Sequence, residues 1–150
     1  MLRLAATHEP SNPYASQGMP SRAGNGAEKH ATILVVEDEI LTRVASADYL
    51  RSCGYRVLEA TSAGEAQAIF HSGEPIRILF TDIQLPGGVD GFALASWVEK
   101  NYPQVRIIMA SGAPEVMKKA EAAFSLKRPF LSKPYAFEVL LFHVRRLIVS

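Results

Sequence analysis

Ile33-Leu34-Val35-Val36-Glu37-Asp38-Glu39 runs four apolar residues, rich in β-branching, directly into three acids. A run this short and this apolar reads as a strand buried on both faces of a parallel sheet. Similar runs follow at residues 56–60, 76–80, 105–110 and, less clearly, 127–132. Between them lie stretches of helical period. In the last, Phe137, Leu140, Leu141, Val144, Leu147 and Ile148 form one continuous apolar stripe. In the second, Ala66, Ile69 and Phe70 do the same before Gly73. Five strand runs alternating with five helical segments predict an α/β, doubly wound domain on a parallel five-stranded sheet. In such a domain the ligand site lies beyond the carboxyl ends of the strands, where strand order reverses.

The rest of the sequence narrows the function classes. Its 150 residues suit one domain with a single sizeable core. Residues 1–30 mix Pro10, Pro13, Pro20, Gly18, Gly24 and Gly26 with small polar residues and show no apolar period, which predicts a flexible N-terminal tail ahead of a domain over 31–150. No apolar run is long enough for a membrane span, and no signal peptide is recognisable, so a cytoplasmic protein is expected. The single cysteine, Cys53, cannot close an internal disulfide and reads as a packed, idle thiol. The four histidines are scattered, without the spacing of a zinc site. Net charge is +1, but from Arg106 onward eight bases face three acids.

The strand ends carry the chemistry. Glu37-Asp38-Glu39 follows the first, Thr81-Asp82 ends the third, Ser111 ends the fourth and Lys133-Pro134 follows the fifth. Singly, each has a plain reading: acids favouring a helix N-terminus, a turn aspartate, a capping serine, a surface lysine. Jointly, a parallel sheet would gather them in one crevice. Two like charges about 4 Å apart repel by roughly 4 kcal/mol at an effective dielectric near 20, so clustered carboxylates demand a cation. Oxygen-only ligands fit Mg²⁺ far better than zinc or copper.

Across residues 31–150 the sequence resembles the receiver domains of bacterial two-component response regulators. The resemblance is carried by ILVVEDE (33–39), LFTDIQLP (79–86) with VDGF (89–92), IIMASG (107–112) and FLSKPY (130–135), matching in order and spacing. It implies a flavodoxin-like (βα)5 fold, a three-layer α/β/α sandwich. It further implies Asp82 as phosphoacceptor, Glu37 and Asp38 as the acidic pair holding Mg²⁺ with Asp82, and the backbone carbonyl of Gln84 as a further ligand. Ser111 matches the hydroxyl that bonds the phosphoryl group, Lys133 the lysine that pairs with it, and Phe130 the switch aromatic. A cis bond is expected at Lys133-Pro134.

The implied function is a signalling switch rather than an enzyme, one that assists its own aspartyl phosphorylation and dephosphorylation. The phosphodonor would be a phosphohistidine on a sensor histidine kinase or histidine phosphotransfer protein. Nothing follows the last helix in this sequence, so no output domain is expected, and the signal should leave through a protein target. A basic C-terminal face of Lys118, Lys119, Lys127, Arg128, Arg145 and Arg146 is the expected contact, with homodimer pairing as its other use and no direct nucleic-acid or membrane binding. One departure is the loop Pro86-Gly87-Gly88-Val89-Asp90-Gly91, one residue longer than the usual pattern.

Three rivals remain. A Mg²⁺-dependent phosphohydrolase with an aspartyl nucleophile usually has a second acid two residues on, where this chain has Gln84. An interaction module that has lost phosphorylation is opposed by the full set of site residues. A nucleotide-binding flavodoxin-like protein lacks both GxGxxG and GxxxxGK.

Overall fold

The computed structural model describes residues 30–113, 115, 116, 118 and 128–149. Within them five strands, β1 (Thr32–Val36), β2 (Arg56–Ala60), β3 (Ile76–Asp82), β4 (Arg106–Ser111) and β5 (Phe130–Ser132), form one sheet in the order β2-β1-β3-β4-β5. All four pairings are parallel. Four helices among the described residues are α1 (Ile40–Ser52), α2 (Ala63–His71), α3 (Gly91–Asn101) and α4 (Phe137–Ile148). The fold is flavodoxin-like. The expected tail over 1–30 lies outside the described residues apart from His30, and the fifth helical segment is seen only as helical backbone at 115, 116 and 118.

The central strands β1, β3 and β4 are apolar along most of their length because both faces are covered. Side chains alternate across a strand, so Ile33 and Val35 join Ala47 and Leu50 of α1 and Leu140, Val144, Leu147 and Ile148 of α4. Leu34 and Val36 point the other way, into a cluster with Ala66 and Phe70 of α2 and Leu94, Ala95 and Val98 of α3. Three layers result. Ser62 caps α2 by accepting from the Glu65 amide at 3.2 Å, and the Glu65 carboxylate reaches back to the Thr61 amide at 2.8 Å. Asp90 caps α3 through the Ala93 amide at 2.8 Å.

The weakest strand reading shifts most. The run predicted from residue 127 pairs only from Phe130, opposite Met109. Pro129 has no N–H to give, although its carbonyl still accepts from the Met109 amide at 3.1 Å. The second helix ends at His71 with Ser72 as its C-cap, and Gly73, the expected stop, takes the positive φ of 85° that reverses the chain. Cys53 is half-buried at the C-terminus of α1.

On α4, His143 has its Nδ1 buried with no hydrogen-bond partner among the described residues. Burial and then the neighbouring Arg146 charge push its pKa below the ordinary 6.5. The unfolded chain therefore binds more protons than the folded one between the two values, and stability must fall as pH drops through 6.5 into that window. Denaturant titrations at stepwise lower pH should show this loss in the wild type and a flatter profile in His143→Gln.

Candidate functional site

Strand order reverses between β1 and β3, which lie side by side. Glu37 is the first residue beyond β1 and Asp82 the last of β3, so adjacent parallel strands deliver both to the same end of the sheet. Each is nearly buried, at 5% and 8% exposure, whereas Asp38 is open to solvent. One carboxylate oxygen from each of Glu37, Asp38 and Asp82 falls within a span of 4.8 Å. The Asp82 Oδ1 also accepts from the Gln84 amide at 3.3 Å, and the Thr81 hydroxyl donates to the Asp82 carbonyl at 2.8 Å. Glu39 takes the N-cap position of α1, where its carboxylate accepts from the Thr42 hydroxyl at 3.0 Å.

Lys133 reaches this cluster from the turn after β5. Its amide donates to the Ser111 carbonyl at 2.9 Å, which extends the β4–β5 ladder, and the Lys133–Pro134 bond is cis. The ammonium lies 2.7 Å from Glu37 Oε2 and 2.9 Å from Asp82 Oδ2. Burial alone would lower the Lys133 pKa, but bonds to Glu37 and Asp82 and their charges leave it raised. Glu37 is raised above the usual carboxylate range, mainly by burial and further by repulsion from Asp82, against the Lys133 hydrogen bond. Ser111 is fully buried one residue beyond Ala110, the register partner of Asp82, and its hydroxyl accepts from the Ala113 amide at 3.1 Å. Phe130 is half-buried against the α2–α3 cluster, its ring 6.3 Å from that of Phe92.

Two features escaped the sequence reading. Tyr135 packs its ring edge-on to Phe80 at 5.6 Å and shares a 2.8 Å hydrogen bond with the buried Ser46 of α1, tying the turn that carries Lys133 to that helix. Arg43 sets its Nη1 3.2 Å from the Glu37 carbonyl. The only sequence signal was its place one helical turn after Glu39. The bases expected on one C-terminal face are described only in part. Lys119 and Lys127 lie outside the described residues, and Lys118 is exposed. Arg128 is ion-paired with Glu99 of α3, while Arg145 and Arg146 are exposed on α4, which covers the opposite side of the sheet.

The donor set fits a hard cation. Three carboxylates face one ammonium, so a net negative charge remains, and every free ligand atom is oxygen. A groove of about 510 Å³ runs beside Lys133 between α1 and the β5–α4 turn, lined by Leu41, Thr42, Ala45, Pro134, Tyr135 and Phe137. Ile40 and Leu41 stand exposed at its α1 side. No helix among the described residues is long and apolar enough to cross a membrane.

Comparison with known proteins agrees with this geometry. The family model for the response regulator receiver domain matches residues 33–145. The chain is 33% identical over 119 residues to the sensor kinase CckA of Brucella abortus, covering 79% of this chain and 12% of that protein. It is 30% identical over 111 residues to a cyclic di-GMP phosphodiesterase of Thermotoga maritima, covering 73% and 28%. The chain thus spans well under a third of the length of either relative. Among solved structures, the receiver domain of NtrX from Brucella abortus superposes with a TM-score of 0.70 at 29% identity, over 79% of this chain and 98% of that one. A response regulator receiver protein from Sinorhizobium medicae, at 24% identity and TM-score 0.74 over 81% and 96%, shares the fold. An acidic pocket at the switch point of a five-stranded parallel sheet, met by a lysine from beyond β5, places the chain in the family of two-component response regulator receiver domains.

Proposed function

We propose that this domain accepts a phosphoryl group on Asp82 from a phosphohistidine, with Mg²⁺ as cofactor, and signals through a protein surface. The observation that carries the reading is the Asp82 carboxylate, held by Lys133 at 2.9 Å with oxygens of Glu37 and Asp38 inside 4.8 Å. Glu37, Asp38, Asp82 and the Gln84 carbonyl are the groups to hold the ion. When bound, Mg²⁺ supplies charge neutralisation for the transferring oxygens, the main source of catalysis in phosphoryl transfer.

The chain's own residues do the rest. An Asp82 oxygen forms the new O–P bond as the N–P bond of the donor breaks and imidazole leaves. Lys133 already sits on the acceptor carboxylate, so its charge is in place before the phosphoryl arrives. The Ser111 hydroxyl exchanges its Ala113 partner for a phosphoryl oxygen, and Phe130 turns into the space so vacated. Exposed Ile40 and Leu41 and the groove beside Lys133 supply apolar ground for a donor protein, either a sensor histidine kinase or a phosphotransfer protein. Output passes to a protein target, with Arg145 and Arg146 of α4 as the basic contact.

Incubation with acetyl phosphate and Mg²⁺ followed by intact mass measurement tests the assignment. The wild type should gain one phosphoryl group and Asp82→Asn none. A gain that persists in Asp82→Asn would refute the site, and steady turnover of phosphate esters would revive the phosphohydrolase.

A further inference from the structure

Arg43 has no part in the chemistry just described, yet its guanidinium is among the most constrained of the described surface cations. Its Nη1 donates to the Glu37 carbonyl at 3.2 Å and its Nε to Glu59 Oε1 at 3.3 Å, with the side chain 14% exposed. Glu59, on β2, is fixed from its other oxygen by Arg51 at 2.9 Å, and Arg51 also holds the Val57 carbonyl at 3.0 Å. The guanidinium is therefore aimed by two elements, α1 and β2, at a single peptide unit. That unit joins Glu37 to Asp38, the two acids that leave β1. On its other side the Glu37 amide is held by the Ala60 carbonyl of β2 at 3.0 Å. The backbone of Glu37 is thus gripped at both its donor and its acceptor, and the direction in which Asp38 departs follows from that grip.

We propose that Arg43 is a positioning residue for the metal centre: its Glu59-aimed bond to the Glu37 carbonyl sets the spacing of the Glu37 and Asp38 carboxylates. The proposal rests on the Mg²⁺ reading above. Octahedral Mg²⁺ tolerates little error in ligand placement, so a slack Glu37–Asp38 peptide weakens binding even with every carboxylate present. The sign of the effect separates this role from simple electrostatics. Removing a cation beside three carboxylates should by charge alone tighten Mg²⁺; losing a clamp should loosen it. Lysine retains the charge but cannot reproduce the fork that holds Glu59 and the carbonyl together.

The test is calorimetric titration of the full chain with Mg²⁺, alongside thermal melts that confirm folding at the titration temperature. Arg43→Met should bind about tenfold more weakly than wild type, the lower end of what loss of an outer-shell partner does to metal affinity. Arg43→Lys should also weaken binding, and serves if the methionine variant does not fold. Unchanged or tighter binding in the folded variants, with wild-type affinity intact, overturns the role of Arg43 alone. A wild type that takes up no Mg²⁺ overturns the metal reading and this proposal with it.

Discussion

Lys133→Met is expected to lower the unfolding free energy by about 2 kcal/mol in the presence of a chelator, and by much less in millimolar Mg²⁺. Removing one partner of a buried ion pair costs roughly 3–5 kcal/mol because the remaining charge is stranded, and partial exposure reduces that figure. Lys133 is 22% exposed by side chain, while the Glu37 and Asp82 side chains are 7% and 8% exposed. Without the ammonium, two nearly buried carboxylates face each other and Asp38, and burial with mutual repulsion already raises the Glu37 pKa. A cation that binds between them takes over the lysine's electrostatic role in the resting fold. Chemical denaturation of the variant with EDTA and with Mg²⁺ measures the difference. Equal losses under both conditions would mean that the carboxylates do not share a cation site.

Gly91→Ala should be more damaging, destabilising the fold by about 3 kcal/mol, the upper end of the usual range for overpacking a filled site. A Cβ built at Gly91 would lie 2.2 Å from the Asp82 carbonyl oxygen and 2.7 Å from the Ile83 Cα. Both neighbours are backbone, and neither can rotate aside. The Gly91 amide donates to the Ile83 carbonyl at 2.7 Å, so the first turn of α3 is pinned directly against the end of β3. Any relief must move either α3 or the peptide that carries Asp82. A fall in thermal midpoint accompanied by weaker Mg²⁺ binding is the expected pair of results, and an alanine variant as stable as wild type would show that the close approach is not needed.

The alternating apolar runs were enough to read the sheet class, because burial on both faces forces the central strands to be apolar along most of their length. The order of strand ends was likewise enough to nominate Glu37, Asp38, Asp82 and Lys133 as neighbours, since parallel strands present their carboxyl ends together. The structure does bring these four together. Less legible was β5, three residues long and preceded by Pro129, whose pairing is fixed by β4 rather than by its own composition. The basic C-terminal third was legible only as a count of charges, because charge counted along the chain carries no record of a pairing such as Arg128 with Glu99 or of the layer each residue joins.

The sequence by itself determined the strand and helix succession, the parallel sheet and the residue types at its carboxyl end, because period and composition are local properties. Only the tertiary structure decided that Lys133 bridges Glu37 and Asp82, that Arg43 grips the Glu37 peptide from α1, and that Tyr135 ties the lysine's turn to Ser46. Each of those contacts joins groups from different elements, and a hydrogen bond depends on distances of a few tenths of an ångström that arise only when the layers pack.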